Sequence, residues 1–117
     1  MWRVYSIRNV MFILHRITGV ALLVYFVLHV LTISTALLAG AEAFSATMAA
    51  FRHPAFRAVE IAIVGCVVFH GLNGLHIIAA ERGWMRPGGA AFPRATVAAT
   101  LAIWTAAALV AVLPWEA

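Results

Sequence analysis

The sequence predicts an all-α integral membrane protein with three transmembrane helices, its N-terminus inside, packed against a partner chain. Three observations carry that prediction. The 117 residues are 65% hydrophobic and only 10% charged, whereas an ordinary soluble domain carries charge on about a quarter of its residues. The apolar residues gather in three runs, 17–39, 58–80 and 95–113, and a helix needs about 20 residues to cross a hydrocarbon core of about 30 Å. All eight basic residues are arginines. Arg3, Arg8, Arg16, Arg82, Arg86 and Arg94 lie before the first run or between the second and third, and only Arg52 and Arg57 lie between the first and second. The positive-inside bias then puts the N-terminus on the cytoplasmic side and the C-terminus outside.

The chain reads as a single membrane domain, 1–117, with spans at approximately 12–39, 57–82 and 93–113. The basic excess reports topology and contact with anionic lipid headgroups, and no nucleic-acid partner is implied. His15 and Arg16 interrupt the front of span one, and the apolar run behind them exceeds the roughly 7–15 residues of a signal-peptide core, so the span is retained. The connection 40–57 is expected as an outer loop in which Pro54 starts the next helix and His53 is solvated. Glu60, near the start of span two, is expected to satisfy helix N-terminal amides. Cys66 is a lone mid-span cysteine and reads as a small buried hydrophobe. The connection 81–94 is dense in glycine, proline and arginine, a turn region with Trp84 as interfacial anchor. Span three carries no titratable group, and Ala95, Ala98, Ala99, Ala102 and Ala106 offer it small faces for close contact.

The chemistry belongs to spans one and two. FHGLNGLH, residues 69–76, puts two histidines, two glycines and an asparagine inside an apolar stretch, and an ionisable group within a span is a functional candidate by default. His70 and Gly74 share a helix face, with Asn73 and His76 on a neighbouring one. A glycine one turn from a histidine clears room for a flat macrocycle. In span one His15, Gly19, Leu22, Phe26 and His29 form one stripe, with Thr18 beside it and His29 about 21 Å deeper than His15. His15 is expected at the inner interface and His70 near mid-membrane. A buried imidazole there is satisfied by a hydrogen bond to another helix or by ligating a metal, and bis-histidine haem is the common membrane solution for electron transfer. On that reading His70 is the axial haem ligand and His29 the candidate second ligand. Arg16 either anchors the chain at the interface or grips a haem propionate through two parallel hydrogen bonds, with His15 and His76 toward the same side. Three short helices hide few polar groups from lipid, so a partner chain is expected to supply the rest of the site.

HRITG at residues 15–19, the second-span histidine with glycine four residues on, and Glu81 with Gly83 resemble the cytochrome b556 subunit of succinate dehydrogenase, one of two small membrane anchors of respiratory complex II. The resemblance covers nearly the whole chain. It implies a non-catalytic subunit of succinate dehydrogenase (quinone) in the inner (cytoplasmic) membrane. Such a subunit docks an iron–sulfur subunit and a flavoprotein subunit beside a second membrane-anchor subunit, and passes electrons of the tricarboxylic acid cycle to quinone. It implies haem b, one or two groups, with His70 matching the axial ligand, and with His15 and Arg16 matching an interfacial pair near the propionates and the quinone. Thr18 matches the family's small hydroxyl residue. Phe12 stands where known members carry a quinone-contacting serine, leaving Ser6 or a partner chain to replace it. His29 resembles the first-span ligand of two-haem members, and His76 stands in place of the family's arginine. A fumarate reductase anchor, a haem-free structural anchor and a small transporter or channel subunit are the competing readings. Spans one and two lack the paired acids, broken helix or inverted repeat of a transporter.

Overall fold

In the computed structural model, which describes residues 7–85 and 91–113, four helices follow one another: α1 (Ile7–Leu38), α2 (Gly40–Ala50), α3 (Pro54–Glu81) and α4 (Ala91–Val112). α1, α3 and α4 are each long and apolar enough to cross a membrane. α1 has 32 residues, about 48 Å of helix, so it overruns the hydrocarbon core and must tilt or project into the headgroups. Gly40, at φ +85°, lies in the left-handed region that glycine enters without strain, and the chain turns there into α2.

α2 is a structural correction, since 40–57 was expected as a loop. Its sequence GAEAFSATMAA is rich in alanine, the strongest helix former, and Glu42 in the first turn favours the helix N-terminus. A search by hydropathy for segments of spanning length passes over so short a helix. The tilted rings of Phe51 and Phe56, centroids 4.8 Å apart, clasp the turn into α3.

Pro54 opens α3 as expected. His53 is its N-cap, with Nδ1 accepting from the Ala55 amide at 3.2 Å. The capping group is therefore His53 and not Glu60, which is too far along the helix to reach its first free amides. At the other end Gly83, at φ +73°, closes a Schellman turn: its amide donates to the Ala80 carbonyl at 3.1 Å, and the Trp84 amide donates to the Ala79 carbonyl at 3.0 Å.

α3 is the central helix, packed against α1 on one side and α4 on the other, while α2 leans on α1. The α4 surface against α3 is a correction too. The buried residues are Pro93, Thr96 and Thr100, whereas Ala95, Ala98, Ala102 and Ala106 are exposed and Ala99 is half-buried. In a helix this rich in alanine, hydroxyls leave lipid for the interior and the alanines take what is left. Trp104 continues the packed face: its indole N–H donates to the Ile61 carbonyl at 2.6 Å, and a β-carbon on Gly65 would lie 3.0 Å from the indole.

Among the described residues the buried side chains are Met11, Phe69 and Pro93 on the apolar side, but Thr18, Asn73, Thr96 and Thr100 on the polar side. Large aliphatic and aromatic residues are exposed along the lengths of α1, α3 and α4. This polarity is inverted relative to a water-soluble domain, and it suits a bundle whose solvent is hydrocarbon.

Candidate functional site

The site lies where α1 crosses α3. The two helices run antiparallel, and each brings a histidine and, four residues later, a glycine: His15 and Gly19 on α1, His70 and Gly74 on α3. Each ring lies over the opposing helix's glycine. A β-carbon on Gly19 would lie 3.0 Å from His70 Cε1, and one on Gly74 would lie 3.6 Å from His15 Cε1. The rings stack with centroids 4.0 Å apart and planes 8° apart. His15 and His70 are thus at one depth rather than at interface and mid-membrane. α1 starts at Ile7, so His15 lies about 12 Å along it, further in than a start at residue 12 allows.

Both Nδ1 neighbours of His70 come from α1. The Thr18 hydroxyl oxygen is at 3.2 Å and the His15 carbonyl at 3.2 Å. Thr18 lies 2.8 Å from the Leu14 carbonyl, which accepts from its hydroxyl. Asn73, on the α3 side, is 3% exposed. His15 Nδ1 and His76 Nδ1 are buried with no hydrogen-bond partner among the described residues. Such orphaned atoms call for a polar group from elsewhere.

Nearer the arginine-rich end, a cleft of about 460 Å³ opens between α1, α3 and α4, a size in the range of small-molecule sites. Arg8, Asn9, Asn73, His76 and Glu81 give it polar walls, and Met11, Phe12, Ile77 and Pro93 apolar ones. His76 is held by Phe92, ring on ring at 4.1 Å. Arg16 is exposed, with its guanidinium carbon 5.5 Å from the centroid of Phe12, a cation–π geometry.

Of the candidates named from sequence, His15, Thr18, Gly19, His70 and Gly74 come together. His76 joins the cleft, and Arg16 stands at its edge through Phe12. His29 does not join: it lies ten residues beyond Gly19, about 15 Å along the helix, exposed and 3.4 Å from the Tyr25 hydroxyl. Ser6 falls outside the described residues. The cleft residues Arg8 and Asn9, and Phe92 behind His76, carry no signal in the sequence, because walls formed by three helix ends leave no local pattern. The shared spacing H-x-x-T-G and H-x-x-N-G is the sequence trace of the crossing, and by itself it fixes neither register nor facing.

Three apolar helices, two of which cross at a stacked histidine pair, define a multi-pass membrane protein with a polar centre between antiparallel spans. The chain belongs to the succinate dehydrogenase/fumarate reductase transmembrane subunit family, whose model matches residues 1–113. No curated protein and no solved structure matches the chain.

Proposed function

We propose that this chain is the haem b-binding anchor of a succinate:quinone oxidoreductase, with His70 as an axial ligand through Nε2. The observation that carries the reading is the seat of His70: a membrane-embedded imidazole whose Nδ1 edge is occupied by α1, leaving Nε2 with no hydrogen bond among the described residues. The donor set favours haem over a bare ion. No three His, Cys, Asp or Glu side chains gather among the described residues, and a porphyrin needs only an axial nitrogen from the protein. The orphaned Nδ1 atoms of His15 and His76 suit polar substituents of such a group. Bound haem supplies one-electron transfer.

The chain's own residues do the remaining work. α1 orients the ligand ring, and the apolar helix faces keep water from it. Arg16 is a carboxylate-binding guanidinium at the edge of the cleft. A quinone head fits the cleft's mixture of apolar walls and hydrogen-bonding groups, with Arg16 at its rim and with Ser6 or a partner chain adding contacts. Thr18 is committed to His70 and contributes to quinone binding only through it. The second ligand comes from a second membrane-anchor subunit, and the iron–sulfur and flavoprotein subunits dock on the arginine-rich face, which is cytoplasmic in the inner membrane. His29, being remote from His70, serves a separate outer haem or none.

Succinate oxidation and fumarate reduction differ through the potentials of quinone and haem, so redox titration of the purified complex assigns the direction. His70→Ala, read by haem per complex, tests the ligand. Loss of the b-type absorption band is expected, and a full band in that variant would refute the assignment in favour of a haem-free role for His70.

A further inference from the structure

We infer that the HRITG segment of α1 is a socket for the Nδ1 edge of His70, in which Thr18 is a positioning residue that tunes the iron from its outer side; this rests on His70 as the haem ligand. The socket has three parts within one helical turn. Gly19 supplies the gap, since its missing β-carbon is what lets His70 Cε1 come so close. The His15 carbonyl and the Thr18 hydroxyl supply the floor, each 3.2 Å from Nδ1.

The proton on His70 follows from that floor. A carbonyl oxygen can only accept. The Thr18 hydroxyl hydrogen is directed at carbonyls of its own helix, Leu14 at 2.8 Å and His15 at 3.1 Å, which leaves Thr18 Oγ1 to accept as well. Facing two acceptors, Nδ1 carries the hydrogen and shares it in a three-centre bond, and Nε2 keeps its lone pair. A histidine poised to bind metal is held in this way, its far ring N–H anchored so that tautomer and ring angle are fixed.

A consequence for the iron follows. Acceptors at Nδ1 draw its proton away from the ring and make Nε2 more basic, and a more basic imidazole stabilises ferric over ferrous iron. Thr18 and the His15 carbonyl therefore hold the potential of the haem down. Residue 15 contributes through its backbone oxygen, whatever its ring does, so the hydroxyl of Thr18 and the missing side chain of Gly19 are what the socket requires of the sequence.

The purified complex carrying Thr18→Val, Thr18→Ser or Thr18→Ala tests this, with haem content, midpoint potential and the ferric electron-spin-resonance spectrum as readouts. Thr18→Val keeps the shape and loses the acceptor. Its ferric haem is expected to bind about tenfold more weakly, as removal of such outer partners does. If ferrous binding is unchanged, tenfold corresponds to an upward shift of ~59 mV for a one-electron couple. Thr18→Ser retains the oxygen and is expected to match the native potential and spectrum. Should the valine variant not assemble, Thr18→Ala, which only removes atoms, is expected to show the same rise. Native potential and spectrum in the acceptor-free variants overturn the socket, as does a serine variant displaced as far as the valine one. Haem retained in His70→Ala instead overturns the ligand assignment beneath it, so the two failures are distinct.

Discussion

Replacing Gly19 by alanine probes the helix crossing most directly. The new β-carbon would lie 3.0 Å from His70 Cε1 and 3.6 Å from Nδ1, whereas nonbonded carbons settle about 3.5–4.0 Å apart. The ring must therefore retreat by about 0.5 Å. That stretches the two 3.2 Å contacts at Nδ1 toward about 3.6 Å, where a hydrogen bond is lost. Overpacking costs about 1–3 kcal/mol and the lost bond about 1 kcal/mol, offset by up to about 1 kcal/mol for removing a glycine from a helix interior. A net loss of about 1–3 kcal/mol is expected. Two other glycines calibrate it. A β-carbon on Gly74 meets His15 at an ordinary 3.6 Å, and one on Gly71 meets nothing within 4 Å. Thermal denaturation of the detergent-purified complex, with b-type absorbance per complex, is expected to rank Gly19→Ala as the most damaging, Gly74→Ala as mild and Gly71→Ala as neutral. Native stability and haem in Gly19→Ala, or equal damage from Gly71→Ala, would refute the reasoning.

Two further outcomes are expected. Trp104→Phe removes the indole donor from the Ile61 carbonyl but keeps most apolar contact with α4's neighbours, so it lowers stability by about 1 kcal/mol, read as a lower melting temperature; an unchanged value would show that the bond contributes nothing. His29→Ala leaves the haem at His70 spectroscopically intact, because His29 lies about 15 Å beyond Gly19 along α1; a lost or shifted signal from that haem would place the two histidines at one iron.

The spans were legible because a run such as 17–39 has no other home than a membrane, and the two histidine–glycine pairs were legible because a polar group in such a run is conspicuous. That Gly19 and Gly74 each face the other helix's histidine was not. Periodicity gives the faces of one helix but not the register between two, so His15 and His70 were read at different depths. α3 was hardest to orient: it is packed on two sides and has almost no amphipathic asymmetry. On α4 the alanines misled, since a residue that is small everywhere marks no face, and the threonines at 96 and 100 carried the information instead. His53 takes the capping role expected of Glu60 while staying exposed, because a cap is set by position at the first turn and not by charge alone.

α3 is keyed on both flanks: Gly65 is a notch for Trp104, and His70 is a knob that enters the Gly19 gap of α1. Every residue advances a helix by about 100°, so one amino acid gained or lost between Gly65 and His70 would swing notch and knob out of phase, and no rotation of the helix could engage both neighbours again. A change of length in the turns at either end of α3 leaves that phase untouched, while the five-residue stride between Gly65 and His70 acts as a fixed gauge.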